Sequence, residues 1–161
     1  MQEISNTVMS LLINSVASND NMKLMVQLAE EGADFNNQDY RGRTPLHIAT
    51  FNGNLDVVRF LLDQRVNIDQ VDNSGTSALY YACTCKQERI VELLVERGAS
   101  VIVRNTNLIQ ELCQAANDGD LDLIKLFARS EANLNGQNFD GRTIGHLAVA
   151  ENQVEIIEYL A

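Results

Sequence analysis

The sequence predicts a mainly α protein, a single domain in which about five helix pairs stack into a solenoid with a 33-residue period. Three observations predict it. First, Gly42-Arg43-Thr44-Pro45-Leu46-His47-Ile48-Ala49 returns three periods later as Gly141-Arg142-Thr143-Ile144-Gly145-His146-Leu147-Ala148. Second, columns read at that interval stay apolar five deep. One holds Leu28, Leu61, Leu94, Phe127 and Leu160; another holds Met25, Val58, Val91, Ile124 and Ile157. A third, Val16, Ala49, Ala82, Ala115 and Ala148, is small enough for two helices to approach closely. Third, apolar residues spaced by three and four alternate with turn-forming Asn, Asp and Gly clusters.

The units follow in order. The first carries Ile13 and Val16, with Met9 in the slot of Gly42 and Leu11 in the slot of Thr44, as expected of an N-terminal cap. The second is the best formed. Thr44 is a natural N-cap, and Pro45 occupies the first helical position, where a missing N–H costs nothing. Asn52-Gly53-Asn54 breaks that helix, and Leu55, Val58, Leu61 and Leu62 mark the buried stripe of the next. Asn67-Ile68-Asp69 and Asp72-Asn73-Ser74-Gly75 then suit an extended finger with a tight turn. The third unit repeats the pattern from Gly75-Thr76-Ser77-Ala78-Leu79-Tyr80-Tyr81-Ala82. The fourth has Leu108 for the finger glycine, Gln110 for Thr and Cys113 for His, so an irregular finger is expected there. The fifth ends at Ala161 with Ile156, Ile157, Tyr159 and Leu160 just before it, lacking the polar outer face of a terminal unit. That is the pattern expected of a segment of something longer.

Gly-x-Thr-Pro-Leu-His-x-Ala at this period, with Gly32-Ala33-Asp34-Phe35-Asn36 and Gly98-Ala99-Ser100-Val101 between units, resembles the ankyrin repeat over nearly the whole chain. The resemblance implies a β-hairpin plus two antiparallel helices per unit in a slightly curved solenoid, with units at about 6–38, 39–71, 72–104, 105–137 and 138–161. Within the family, Glu111-Leu112-Cys113, Asp118-Gly119-Asp120-Leu121-Asp122 and Asn138-Phe139-Asp140-Gly141-Arg142-Thr143 are similar to ankyrin domains attached to cytosolic asparaginase/lysophospholipase-type enzymes and to some plant potassium channels.

Composition bounds the rest. The 161 residues are 45% hydrophobic, which excludes a disordered chain, and no apolar run approaches the ~20 residues of a membrane span. Met1-Gln2-Glu3-Ile4-Ser5-Asn6 lacks the basic start of a secretory signal. Three cysteines, an odd number, suit a reducing compartment, so a cytoplasmic location is expected, with the nucleus left open. Twelve Lys and Arg against 22 Asp and Glu give a net charge of −10, unfavourable for nucleic-acid backbones.

No constellation for catalysis emerges. His47 and His146 fall in the motif's His column with Asn14, Tyr80 and Cys113, and the resemblance implies a hydrogen bond from that slot to the neighbouring unit. Cys83 and Cys85 lie one residue apart on a helix and point apart, so zinc is not expected. Asp118-Gly119-Asp120-Leu121-Asp122 begins like a calcium loop, but Leu123 and Arg129 stand where an EF-hand needs Gly and Glu; the acids read as a turn and the start of a helix. No cofactor is expected. Nor is there a Gly-x-Ser-x-Gly or a phosphate-cradling glycine run.

The expected function is therefore a non-catalytic protein–protein interaction module, an adaptor or scaffold, with the regulatory or assembly domain of an asparaginase-like amidohydrolase or of an ion channel as the alternative. The ankyrin register implies contacts on the fingers and inner-helix ends of the concave face: Tyr40, Arg41, Arg43, Phe51, Asn52, Asn73, Ser74, Thr76, Arg104, Thr106, Phe139 and Arg142. The four arginines on this strip suggest a protein or peptide partner with some acidic character.

Overall fold

The computed structural model describes residues 13–14, 17, 21–101 and 108–161. Val16, Met9, Leu11 and the fourth finger with Arg104 and Thr106 lie outside the described residues. Ile13, Asn14 and Ala17 are helical. The described helices that follow are α1 (Met22–Glu30), α2 (Pro45–Phe51), α3 (Leu55–Asp63), α4 (Ala78–Thr84), α5 (Glu88–Glu96), α6 (Leu108–Asp118), α7 (Leu121–Arg129), α8 (Ile144–Ala150) and α9 (Val154–Leu160).

The helices stand in two layers. Within a unit α2 packs on α3, α4 on α5, α6 on α7 and α8 on α9. Between units α2 packs on α4 and α6 on α8 in the inner layer, while α1, α3, α5 and α7 contact one another in sequence in the outer layer. Among the described residues the units carry no extended strand, and the fingers show isolated bridges such as the antiparallel pair Val71 to Ser77.

The helices begin where local chemistry dictates. Thr44 is the N-cap of α2 with Pro45 first, and Asn54 caps α3 directly after the Asn52-Gly53 break. Asp120 caps α7 by accepting the Leu123 N–H at 3.2 Å, and Asp122 sits in that helix's first turn, the role expected of this acidic run. The outer N-cap column also ties units together. Asn54 Nδ2 donates to the Ala17 carbonyl at 2.8 Å, Gln153 Nε2 to the Asn117 carbonyl at 3.1 Å, and Asp120 pairs with Lys86 at 2.7 Å.

The apolar columns form the core. Leu28, Leu61, Leu94 and Phe127 are buried, as are Met25, Val58, Val91 and Ile124, and the small column is closed at Ala49, Ala82, Ala115 and Ala148. The fifth unit departs from this. Ile157 and Leu160 are half-buried, and Val149 is 64% exposed although its equivalents Thr50, Cys83 and Ala116 are all at 0%. The cause is geometric: in each earlier unit a following helix pair covers these positions, and none of the described residues covers them here.

Candidate functional site

Each described finger is built around one side chain. Asp39 Oδ1 accepts the backbone N–H of Arg41 and Arg43 at 2.9 and 2.8 Å. Asp72 Oδ1 accepts those of Ser74 and Thr76 at 2.8 and 3.0 Å, and Asn138 Oδ1 those of Asp140 and Arg142 at 3.0 and 2.9 Å. A backbone bond closes each turn, from Asp39 N–H to the Arg43 carbonyl, Asp72 to Thr76, and Asn138 to Arg142. An Asx side chain thus fixes the turn that presents the next two residues to solvent.

The second and third fingers are locked together. Asn73 donates its backbone N–H to the Arg41 carbonyl at 2.9 Å and its Nδ2 to the Tyr40 carbonyl at 3.1 Å. Gly42 permits the approach, because at φ +74° a Cβ there would lie 2.7 Å from the Asn73 backbone nitrogen. Behind the fingers, His47 links the units. The Thr44 N–H donates to His47 Nδ1 at 3.1 Å, which leaves Nε2 as the protonated nitrogen, 3.0 Å from the Thr76 carbonyl it donates to. Cys113 occupies the same slot two units on, with its Sγ 4.0 Å from the Arg142 carbonyl. Burial pulls the His47 pKa below its ordinary value, so the ring is neutral at pH 7 and both its nitrogens are engaged. A hydrogen-bonding role between units is what the sequence led us to expect for this residue.

Between these fingers and the inner helices lies a cleft of about 460 Å³ lined by Tyr40, Arg41, Arg43, His47, Phe51, Asp72, Asn73, Ser74 and Tyr81. Tyr40 is 77% exposed and Phe51, the last residue of α2, 57% exposed. Tyr81 forms the floor. Its ring meets both Phe51 and His47 edge-to-face with centroids 6.0 Å apart, and its hydroxyl donates to Asp72 Oδ2 at 2.7 Å. Burial and that carboxylate push the phenol up to about 12, so it stays a donor throughout the physiological range.

The carboxylates in and beside the cleft are bound by the fingers' own donors. Asp39 Oδ2 accepts from Arg43 Nε and Nη2 at 3.0 and 2.8 Å in addition to the two amides on Oδ1. Burial raises the Asp39 pKa, but these donors together outweigh it and hold the carboxyl below its ordinary value. The Arg43 charge is therefore already met within its own finger. Arg41 lies 5.4 Å over the Tyr40 ring, and among the described residues its guanidinium has no carboxylate partner.

The structure gathers six of the expected contact residues at this cleft: Tyr40, Arg41, Arg43, Phe51, Asn73 and Ser74. Asn52 is exposed beside it as the C-cap of α2. Thr76 requires correction. The register puts it in a surface slot, but it is 4% exposed, with its amide bound to Asp72 and its carbonyl to His47, so it ties its finger to the preceding unit's inner helix. Phe139 (85% exposed) and Arg142 stand on the fifth finger, apart from the cleft. Sequence reasoning missed Tyr81 and Asp72 as cleft residues. The Asp72 signal was legible, since it repeats Asp39 at the period, but nothing in the pattern marks Tyr81 except its place after the column residue Tyr80.

Cys83 is fully buried, as expected of a core residue, and burial pushes its thiol up to about 11. Among the described residues no group of three or more His, Cys, Asp and Glu is placed to hold a metal ion.

Comparison with known proteins agrees with the geometry. A model of ankyrin repeats in three copies matches residues 12–105, and a second ankyrin repeat model matches residues 112–161. An L-asparaginase of Dirofilaria immitis is 30% identical over 99% of this chain and 27% of its own length. An ankyrin repeat protein of Acanthamoeba polyphaga mimivirus is 27% identical over 87% of this chain and 18% of its own length. A potassium channel of Arabidopsis thaliana is 28% identical over 91% of this chain and 18% of its own length. An asparaginase and a plant potassium channel are the two kinds of relative to which the narrower sequence resemblance pointed. The chain spans about a fifth to a quarter of the length of these relatives.

Proposed function

The chain belongs to the ankyrin repeat family, whose members generally mediate protein–protein interaction, and on that footing we propose that it is a non-catalytic adaptor module binding its partner through the finger face. Residues 1–161 act as one domain in units of about 6–38, 39–71, 72–104, 105–137 and 138–161. The observation that carries this reading is the cleft between the second and third fingers. There Tyr40 remains exposed on finger backbone fixed by Asp39 and Asn73, and Phe51 remains exposed on the last residue of the α2 helix. Exposed aromatics on a rigid frame contribute contact area at low entropic cost, which is what binding hot spots require. The contact set is Tyr40, Arg41, Arg43, Phe51, Asn52, Asn73 and Ser74 around the cleft, with Phe139 and Arg142 on the fifth finger; Arg104 and Thr106, outside the described residues, belong to the set by the sequence register alone. The partner is another protein or peptide segment, not nucleic acid, for which a net charge of −10 is unfavourable. No described helix is long and apolar enough to cross a membrane; the free thiols suit a cytoplasmic setting. The test is parallel affinity capture from cytosol with the wild-type chain and with Tyr40→Ala/Phe51→Ala, followed by mass spectrometry. A partner captured by the first and lost from the second supports the reading, and equal recovery by both removes it.

A second reading has its own support: the match to an L-asparaginase spans 99% of this chain, and the fifth unit leaves Val149 and Val154 more than half exposed. On that reading the solenoid is a regulatory or assembly domain of an asparaginase-like amidohydrolase or of a channel. Sequencing the gene on both sides of this segment distinguishes the two.

A further inference from the structure

The polar inventory of the cleft specifies what its occupant must bring. Among the charged acceptors, Asp39 takes two hydrogen bonds on each oxygen, and Asp72 takes two on Oδ1 and the Tyr81 hydroxyl on Oδ2. His47 has both nitrogens engaged and is neutral. Asn73 Nδ2 is spent on the Tyr40 carbonyl. The donors are in the opposite condition. Arg41 keeps a full guanidinium at the rim, stacked on Tyr40 and unpaired with any carboxylate among the described residues, and Arg43 has Nη1 left over after Asp39. A segment entering here therefore meets unsatisfied cationic N–H groups and carboxylates already bound by the chain's own donors, so an acidic segment gains a charge-assisted bond where a cationic one meets a repelling guanidinium. Beside these donors stands an apolar surface, the exposed side of Phe51 braced edge-on by Tyr81.

Resting on the finger-face reading above, we propose that the cleft takes an extended peptide segment in which an Asp or Glu carboxylate lies on Arg41 and an adjacent large apolar side chain covers Phe51. Charge complementarity carries the choice of occupant. The cleft is a local donor site on a body of net charge −10, so general electrostatics favours a basic peptide and only the cleft favours an acidic one. The two predictions have opposite sign, which makes the inference sharp. The apolar neighbour follows from Arg41 and Phe51 lining the same cleft, since an acidic side chain alone would leave Phe51 in water.

The test is fluorescence anisotropy on the wild-type chain near 0.15 M salt with three fluorescein-labelled peptides. The first carries Glu-Leu-Glu-Phe-Glu between Gly-Ser flanks, the second replaces each Glu with Lys, and the third keeps each Glu but replaces Leu and Phe with Ala. The expected order is tightest binding by the first, about tenfold weaker by the third, and weakest by the second. Arg41→Glu should weaken the first peptide at least about tenfold and strengthen the second, while Arg41→Lys recovers part of the loss because charge is kept and only the forked geometry is lost. Tighter binding of the Lys peptide to the wild-type chain, or no detectable binding of the Glu peptide, overturns the acidic assignment. If the Lys peptide wins and its binding still falls in Tyr40→Ala/Phe51→Ala, the chemistry proposed here is wrong and the finger-face reading stands. If the winning peptide is indifferent to Tyr40→Ala/Phe51→Ala, the finger-face reading falls with it.

Discussion

Truncating one leucine column at its middle and at its end separates a stacked solenoid from any other helical arrangement. Leu61 and Leu160 share a column, but Leu61 is completely buried whereas Leu160 is half-buried. Leu61→Ala removes three carbons from a site enclosed by its own helix pair and by units on both sides. The lost transfer free energy is roughly 2.4 kcal/mol at ~0.8 kcal/mol per methylene. A residual cavity of about 60 Å³ adds about 1.4 kcal/mol, for a total near 4 kcal/mol. Leu160→Ala removes the same atoms from a site where water fills the space, so the cavity contribution vanishes and the transfer contribution shrinks to about 1.5 kcal/mol. Urea unfolding followed by circular dichroism gives both values, provided the m-value stays constant between variants. Equal losses, or a larger loss at Leu160, would refute the assignment of the fifth unit's outer face as the uncovered end of the described stack.

His47 makes stability pH-dependent in a known direction: its folded pKa lies below the ordinary 6.5, so in the window from about 6.5 down to that lowered value the unfolded chain binds more protons and stability falls with pH; thermal melts of wild type from pH 7.5 to 5.5 should decline more steeply than those of His47→Gln. Among the described residues four non-glycine residues hold positive φ, and Arg65 (57°) and Glu131 (58°) share a column with Gly32 and Gly98. Arg65→Gly should therefore stabilise the protein by up to roughly 1 kcal/mol by relieving left-handed strain, and Gly98→Ala should destabilise it by about 1 kcal/mol, both read from denaturant midpoints.

Most of the architecture was legible because a repeat states each structural requirement several times. Five apolar residues in register identify a buried column more securely than any single helix pattern, and Thr44-Pro45 places a helix start to the residue. Three features resisted for physical reasons. The Arg43–Asp39 ion pair is not marked in the pattern because Asp39, four residues back in the same finger, meets it only once the turn folds. Thr76 was read as a surface residue because the register locates a slot but not the direction in which its amide and carbonyl point. Tyr81 escaped because its role depends on tertiary contacts, the Phe51 ring of the preceding unit and the Asp72 carboxylate of its own finger.

The central claim is that this solenoid binds through its finger face, and calorimetric titration of a captured partner tests it most directly. Two double variants are compared with wild type: Tyr40→Ala/Phe51→Ala at the cleft, and Glu92→Ala/Glu96→Ala on α5, whose exposed carboxylates face outward, with Glu92 3.7 Å from Arg129. The account predicts that the cleft variant loses at least about 2 kcal/mol of binding free energy, roughly thirtyfold in Kd, while the outer variant stays within a few tenths of a kcal/mol. Equal losses, or a larger loss from the outer pair, would contradict it.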